Sequence, residues 1–460
     1  MTKQMFNWKI FILLFLTVLA SLYLYKDSFS AYFFQDDWFT FSISKASNLK
    51  EFIRFFIPRT DVIYYRPLGM QVMFYFMKSI FGLNYIWYHL IIVFTHIFNI
   101  ILVYYLFKLI LNNYFTALLI SFMYAISTIH FIPFYWFSTY PFILGPAFLF
   151  LSCIFFILSL KTHRKIFISL IFYILGLLTY EIVIITPLIF MLYLSFQKIS
   201  KIHYIRVLPY LFLGGLLFAI RFIYYHPPST GNYVLQADYH LLSNLKTYLL
   251  WSFNWSEILT EQMTSLFRFN FRIMNYYPSL ANLSVALFIF TIIIYFIIPF
   301  IIILREKDKS LFNIIIFGIG WFLIGLLPVL FFSKHKYPYY LPISILGLFM
   351  IIAYLLTKLF NQHIPIRNQL NFKYLYLFLF LLSYFYQAII TYNFNSLIHW
   401  APRRALISEK LVKRFLEEKK LDSDKKVFYV QNTPENKLAL NDQDALKIVF
   451  NDVRIVTVYD

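Results

Sequence analysis

Long apolar runs, separated by short loops rich in lysine and arginine, fill the first 394 residues of this sequence. With 61% hydrophobic residues and a mean hydropathy of +0.69, the chain carries more apolar surface than one soluble core could enclose. A membrane-spanning helix needs about 20 mostly apolar residues. Such runs occupy residues 8–25, 85–110, 114–131, 141–160, 165–179, 182–197, 206–225, 283–304, 311–333, 338–359 and 373–393. The sequence therefore predicts an all-α polytopic membrane protein with about eleven transmembrane helices.

The 40 basic residues outnumber the 21 acidic ones and give a net charge of +19. A basic excess on one face is typical of proteins that bind nucleic acid. Here the basic residues are spread over short loops, so we expect membrane lipid and no nucleic acid as a partner. The single cysteine, Cys153, excludes an intramolecular disulfide. Lys3 and Lys9 are followed by apolar residues to Tyr25 and by no convincing small-residue cleavage site, which predicts a retained first helix.

The basic loops predict the orientation, because cytoplasmic loops are enriched in lysine and arginine. With the N-terminus in the cytoplasm, the basic connections 161–165, 198–206, 305–309 and 358–373 all fall inside. The outer side then receives Asp36, Asp37, Glu181, segment 226–282, loop 333–340 and the C-terminal tail. The abundance of Phe, Ile, Tyr, Lys and Asn is typical of an AT-rich bacterial genome. We expect a multi-pass protein of a bacterial cytoplasmic membrane whose site faces outward.

Two stretches between the predicted spans, 26–84 and 226–282, are too polar to cross the membrane and too apolar to be simple loops. We expect both to lie at the outer interface, and Asn48 followed by Glu51 predicts a capped helix in the first of them. From about residue 395 the composition changes. A helix near 405–420, a strand at 426–430, a helix near 440–450 and a strand at 454–458 predict a small α/β appendage. This gives a membrane module of residues 1–394 and a tail of residues 395–460.

Adjacent carboxylates follow the first span in the sequence Tyr32-Phe-Phe-Gln-Asp-Asp-Trp38. An acid among aromatic residues at the mouth of a partly dry cavity suits a general base that accepts a proton from an attacking hydroxyl. Asp36 and Asp37 are therefore the candidate catalytic residues. The alternative is that they cap a helix or carry an interfacial charge.

Further candidates lie near the predicted outer boundary of the membrane. Glu181, at the junction of two short runs, is expected either to bind substrate hydroxyls or to satisfy backbone groups at a broken helix. A phosphate leaving group needs nearby cations where water is scarce. The basic residues in the right region are Arg66, Arg221, Lys334, His335 and Lys336. Each of them alone could instead reach lipid headgroups.

Two polar or aromatic groups have a structural explanation that we favour. His89, His96 and Asn99 share one face of the second predicted span and are expected to make interhelical hydrogen bonds. Trp136 and Tyr140 could stack on a sugar, but aromatic belts occur at membrane interfaces generally. The sequence contains no Walker A loop, dinucleotide fingerprint or His-Glu-x-x-His motif.

Taken in order, these motifs resemble those of the membrane-embedded GT-C glycosyltransferases, which include protein O-mannosyltransferases and the aminoarabinose transferases of lipid A. The matching motifs are Asp36-Asp37, Tyr65-Arg-Pro-Leu68, His89…His96…Asn99, Tyr180-Glu181 and His335-Lys-Tyr-Pro-Tyr-Tyr-Leu341. The resemblance implies a sugar donor on a polyprenyl phosphate and a lipid, glycan or protein acceptor. It implies that Asp36 is the base, that Asp37 positions a substrate, and that inversion accompanies transfer. The substrate-binding residues are then Arg66, Glu181, Arg221, His335, Lys336 and Tyr340.

No cofactor is expected, because the chain lacks the second acidic motif of the metal-dependent members of this class; a divalent metal stays open. Two other functions stay open as well. A flippase or transporter of lipid-linked glycans would use a cationic cavity, although such proteins commonly show repeated halves and midplane charges. An O-antigen ligase or polymerase would depend on arginine and histidine rather than on an acidic pair.

Overall fold

The computed structural model of the chain describes residues 8–224, 231, 233–263, 276–297, 299–301, 309–332, 334–361 and 369–460. The protein is an integral membrane protein with an all-α polytopic membrane part. Among the described residues, seven helices are long and apolar enough to cross a membrane. They are Trp8–Ser30, Tyr85–Leu111, Tyr114–Tyr135, Phe137–Ser159, Lys201–Arg221, Pro278–Ile301 and Lys373–Ile398.

The remaining predicted runs form shorter apolar helices, which are Lys165–Thr179, Glu181–Phe196, Ser310–Leu326 and Ile345–Asn361. The first of these has 15 residues and rises about 22 Å, less than the ~30 Å of a hydrocarbon core. The count of eleven spans therefore stays a prediction. Lys3 and Ser333, and parts of the basic loops 305–309 and 358–373 and of segment 226–282, lie outside the described residues.

Consecutive asparagines join two of the membrane helices. Asn112 has a left-handed backbone with a φ of 49° and ends the helix Tyr85–Leu111. The side-chain oxygen of Asn113 then accepts the Thr116 N–H at 3.0 Å and begins the next helix, Tyr114–Ala125. This tight connection forces the two helices to run antiparallel and to pack against each other.

Small hydroxyl residues hold the helices Pro141–Ser159 and Lys165–Thr179 together. The Ser152 hydroxyl donates to the Ser169 carbonyl at 3.0 Å, and the Ser169 hydroxyl donates to the Ser152 carbonyl at 2.7 Å. Both residues are fully buried, and reciprocal bonds of this kind are typical of helix pairs in lipid. Outward-facing aromatic residues such as Phe167 and Phe212 are 68% and 71% exposed, as expected of surfaces that face lipid.

The segment after the first span is a chain of short helical turns. They are Lys26–Ser30, Asp36–Ile43, Leu49–Ile53, Arg54–Phe56, Leu68–Val72 and Met73–Phe81. The predicted cap is confirmed, since the Asn48 side chain accepts the Glu51 N–H at 3.0 Å and Glu51 accepts the Ser47 N–H at 2.7 Å. Within the apolar helices given above, the structure distinguishes the helices Thr128–His130, Phe131–Tyr135, Phe137–Thr139 and Thr186–Phe196, and the 17-residue helix Leu208–Tyr224 overlaps the span Lys201–Arg221. The short helices between them include His240–Ser252, Glu257–Glu261 and Pro338–Tyr340.

The appendage begins directly after the last long helix, Gln369–Ile398, with the helix Trp400–Leu421. The strands Val427–Val430 and Val456–Tyr459 pair in parallel, so their connection must cross over. The helix predicted near 440–450 is present as Asp444–Val449. A further helix, Pro434–Leu440, precedes it and was not predicted, and left-handed backbone at Asn441 and Asp442 separates the two.

Candidate functional site

A cavity of about 630 Å³, which we call the polar cavity, lies between the membrane helices, the loops that connect them and the appendage. Its walls are mostly charged, hydroxyl-bearing and aromatic. The residues that define it are Asp36, Tyr64, Arg66, Trp136, Ser138, Tyr233, Lys246, Trp251, Glu257, Glu261, Lys334, His335, Lys336, Tyr340, Trp400 and Arg404. Five predicted site residues, Asp36, Arg66, His335, Lys336 and Tyr340, thus line one space although they come from distant parts of the chain.

The carboxylate of Asp36 is the acid best suited to react in this cavity. Within the described residues, no group donates a hydrogen bond to it and no salt bridge engages it. Burial raises the pKa of Asp36 to about 6, against an opposing effect of the Arg404 guanidinium. A carboxylate with this pKa is mostly ionised at neutral pH yet more basic than an ordinary aspartate. That combination suits a general base.

Asp37 has a different environment, because its carboxylate is fully occupied by hydrogen bonds. Ser138 donates to it from the backbone at 2.6 Å and from the hydroxyl at 2.7 Å, and the Phe34 N–H donates at 3.1 Å. Asp37 is only 1% exposed and is not among the residues that line the polar cavity. Burial raises its pKa to about 7 although these hydrogen bonds lower it. Its contacts fasten the Phe137–Thr139 turn to the helix that carries Asp36.

Two arginines share one glutamate at the edge of the polar cavity. Arg66 donates to both Glu181 oxygens, at 2.5 and 3.0 Å, and Arg221 reaches Glu181 at 3.1 Å. The Arg66 guanidinium also lies over the rings of Phe142 and Tyr180, at 4.8 and 5.6 Å from their centroids. Two cations on one carboxylate leave a net positive charge. Such a charge in a partly desolvated place suits an anionic ligand.

Glycines allow these charged residues to meet. A Cβ atom at Gly69 would lie 2.7 Å from the Thr179 carbonyl oxygen, and one at Gly145 would lie 2.5 Å from the Tyr180 Cβ. The turn after Arg66 and the helix Pro141–Ser159 can therefore approach the Thr179–Tyr180 backbone closely. This close packing brings Arg66 against Glu181, 115 residues further along the chain.

A second cavity of about 430 Å³, which we call the apolar cavity, adjoins the polar cavity. Glu181 and Arg221 are its charged residues, and Tyr64, Tyr233 and Tyr340 line both cavities. The rest of its wall is chiefly aliphatic and aromatic. It includes Val62, Ile63, Ile182, Ile184, Leu217, Phe218, Leu235, Val329 and Phe332. An acyl or prenyl chain fits such a surface, with its anionic head near the arginines.

Residues 334–340, which we call the late loop, carry His335, Lys336 and Tyr340 into the polar cavity. The chain just before this loop is held by Asn244, whose side chain donates to the Leu330 and Phe332 carbonyls, both at 2.8 Å. Burial, followed by the charge of Arg66, lowers the pKa of His335 to about 4. At this pKa His335 is mostly neutral at pH 7. Burial and the nearby Lys246 lower the pKa of Lys336.

On the polar stripe of the Tyr85–Leu111 helix, His96 and Asn99 make the predicted interhelical contacts, whereas His89 contacts the extended backbone after the Lys26–Ser30 turn. His89 Nε2 lies 2.7 Å from the Ala31 carbonyl, and the Asn99 amide donates to the Ile143 carbonyl at 2.8 Å. His96 Nε2 lies 3.2 Å from the Ala125 carbonyl. The His89 contact does reach the chain just before the aspartates. It supports that segment and does not touch the cavity.

Several lining residues were not among the sequence candidates. They are Tyr64, Tyr233, Lys246, Glu257, Glu261 and Arg404. Segment 233–263 contributes four of them, and its aromatic and charged composition alone gave no reason to select these positions. Arg404 comes from the appendage, to which the sequence assigned no role.

No group of three or more His, Cys, Asp or Glu side chains that could hold a metal ion occurs in the described part of the chain. That the protein needs no essential metal stays a prediction. A search with protein-family models finds no match, and neither does a comparison with curated proteins.

Proposed function

We propose that this protein is a membrane glycosyltransferase of the GT-C type, which moves a sugar from a polyprenyl-phosphate donor to an acceptor hydroxyl. One observation carries the proposal. The unengaged carboxylate of Asp36 lines a polar cavity that shares three tyrosines with an apolar cavity, and the Arg66–Glu181–Arg221 group lies between them. A reaction between a lipid-linked phosphate sugar and a polar acceptor needs these surroundings side by side.

The donor lipid would enter through the apolar cavity. Its prenyl chain would contact aliphatic residues such as Leu217 and Val329, and its phosphate would lie near Arg66 and Arg221. Glu181 neutralises only one of the two guanidinium charges, so the other is available to the phosphate. Lys336 adds a cation from the late loop. The sugar, bonded to the phosphate, would then extend into the polar cavity toward Asp36.

Transfer would follow a single in-line displacement. The acceptor oxygen forms a bond to the anomeric carbon while its proton moves to the Asp36 carboxylate. The bond between the anomeric carbon and the phosphate oxygen breaks, and its electron pair stays on the phosphate. The arginines offset the charge that develops on this leaving group. The anomeric configuration inverts, and Asp36 later returns its proton to water.

We also propose that the chain crosses the membrane eleven times with its N-terminus in the cytoplasm. This topology would place both cavities on the outer face of a bacterial cytoplasmic membrane. The clustering of Asp36, the late loop and the appendage around one cavity supports this, because all three fall on the same side in the eleven-span scheme. The acceptor is a lipid, glycan or protein hydroxyl.

The test uses the purified full chain in lipid nanodiscs with a panel of synthetic polyprenyl-phosphate monosaccharides and an envelope extract as the acceptor source. Release of polyprenyl phosphate and glycosylated product are measured by mass spectrometry. We expect one donor to be consumed by the wild type and not by Asp36→Asn. If no donor is consumed while the protein moves labelled lipid-linked glycan across proteoliposomes, the transporter alternative replaces the proposal.

A further inference from the structure

The appendage contacts the turn that carries Asp36 through Arg404. This arginine donates from Nη1 to the Gln35 side-chain oxygen at 2.8 Å. Its Nε and Nη2 donate to the Glu435 carboxylate at 3.0 and 3.3 Å. The side chain is only 15% exposed and lines the polar cavity. Arg404 thus connects the appendage to the residue that directly precedes Asp36.

The backbone at Gln35 is strained. Its φ is 52° and its ψ is −127°, a backbone conformation that residues other than glycine rarely adopt. Strain of this kind persists only where the surroundings enforce it. Here the Gln35 N–H donates to the Ala439 carbonyl of the appendage at 3.1 Å. The appendage therefore holds Gln35 from both its backbone and its side chain.

Two aromatic residues near Asp36 also contact the appendage. The Trp38 indole N–H donates to the Ser408 hydroxyl at 3.2 Å, and both residues are fully buried. Phe34 packs against Trp400 with ring centroids 6.2 Å apart. Residues 34, 35 and 38 thus each contact the appendage. The direction of the Asp36 side chain depends on packing that lies more than 360 residues away in sequence.

We propose that Arg404 is a positioning residue for Asp36 and that the appendage, residues 400–460, is a functional part of the site. The inference rests on the proposed function, because it assigns the appendage a role in the same reaction. Arg404 fixes the Gln35–Asp36 turn so that the Asp36 carboxylate points at the attacking hydroxyl. Its positive charge also favours the ionised form of Asp36.

The charges around Asp36 make this role measurable. Arg404 is the cation that opposes the effect of burial on the Asp36 pKa. The other titratable groups that interact with Asp36 are Asp37 on its own helix, Tyr64, Tyr233 and Tyr337. Without Arg404, a higher pH is needed to ionise Asp36. The acidic limb of the kcat/KM profile is then expected to move to higher pH.

The experiment compares Arg404→Gln with Arg403→Gln. Arg403 is the matched control, since it is 56% exposed and pairs with Glu435 at 2.9 Å but is not among the residues lining the cavity. For Arg404→Gln we expect kcat to fall by on the order of 10²-fold, as for other misplaced catalytic groups, with the donor KM unchanged. We expect Arg403→Gln to leave kcat and the pH profile as in the wild type. Arg404→Lys keeps the positive charge but loses the planar guanidinium that donates to Gln35 and Glu435 together. We therefore expect the acidic limb of its kcat/KM profile to lie at the wild-type pH while kcat falls.

A second readout does not depend on turnover. Hydrogen exchange, followed by mass spectrometry of peptides covering residues 32–39, reports whether the appendage holds the Gln35 N–H. We expect faster exchange in Arg404→Gln than in Arg403→Gln. If Arg404→Gln does not fold, Gln35→Gly removes the same contact from the other side, and glycine tolerates the positive φ. Faster exchange and reduced kcat in Gln35→Gly would support the inference.

The outcomes separate the inference from the proposed function. A wild type that transfers no sugar defeats the proposed function, and with it the role of Arg404 in that reaction. An active wild type with equal kcat, pH profile and exchange in the two arginine variants overturns the positioning role alone. A loss of kcat without any change in the pH profile or in exchange also overturns it.

Discussion

The replacement Asp36→Asn tests the carboxylate that lines the polar cavity without engaging a partner among the described residues. Asparagine has nearly the same shape but cannot accept the proton of an attacking hydroxyl. A positioned general base is worth about 10²–10⁴-fold in rate, or about 2.7–5.4 kcal/mol of barrier. Since no hydrogen bond to this carboxylate is lost, we expect the variant to fold and to lose transfer by that factor.

The pH dependence supplies a second magnitude for the same residue. With a pKa of about 6, roughly nine-tenths of the Asp36 carboxylates are ionised at pH 7 and roughly one-tenth at pH 5. The ionised form is the active base, so kcat/KM is expected to fall about tenfold from pH 7 to pH 5. His335, with a pKa of about 4, stays mostly neutral over this range and does not contribute.

The assay measures release of polyprenyl phosphate by the full chain in nanodiscs from pH 4.5 to 8. Glu417→Gln is the control, because this acid is exposed on the Trp400–Leu421 helix and lies outside both cavities. Asp36→Asn should reduce kcat/KM at every pH, and Glu417→Gln should match the wild type. An Asp36→Asn variant with more than about a tenth of wild-type kcat/KM refutes the assignment of the base. A flat wild-type profile from pH 5 to 7 refutes it too.

Three further predictions follow from contacts around the cavities. Arg221→Gln should raise the donor KM about tenfold or more with little effect on folding, because Arg221 is 35% exposed. Glu181→Gln breaks a buried pair and should lower the free energy of unfolding, measured by denaturation in mixed micelles, by about 3–5 kcal/mol. A larger loss of stability in Arg221→Gln than in Glu181→Gln would contradict the geometry. Gly69→Ala should destabilise the fold by about 1–3 kcal/mol through overpacking in the same assay, while Gly215→Ala, which meets nothing within 4 Å, should not. Asp37→Asn should weaken the Ser138 contacts and cost about 1.5–3 kcal/mol of stability, yet retain more transfer activity than Asp36→Asn, and equal losses of transfer would put the two aspartates in one role.

Much of the membrane part is predictable because apolar runs and caps are local signals. Each predicted run contains an apolar helix, and the Asn48–Glu51 cap is present. Helix length is where the prediction is incomplete, as Lys165–Thr179 shows. In the appendage the helix near 440–450 is present as Asp444–Val449, but the helix Pro434–Leu440, separated from it by the left-handed backbone at Asn441 and Asp442, was not predicted.

The sequence predicts several of the residues that line the polar cavity, but it does not predict which partners each of them contacts. The adjacent acids after the first span were predicted together, but the structure distinguishes them, because Ser138 and Phe34 donate hydrogen bonds to Asp37 while Asp36 lines the polar cavity. For Glu181 the sequence predicted a contact with substrate or backbone, and the structure adds two arginine partners that were not predicted. That pairing depends on packing between residues more than 100 positions apart. Arg404 is equally hidden, because sequence gives no reason to prefer it to Arg403.

A cryo-EM structure of the full chain in nanodiscs with a polyprenyl phosphate bound tests the proposed donor site most directly. We expect the phosphate within salt-bridge distance, about 4 Å, of Arg66 or Arg221, with the prenyl chain in the apolar cavity and the polar cavity open beside Asp36. A phosphate bound on another surface, with neither arginine in contact, would contradict the proposed donor site and the function that depends on it.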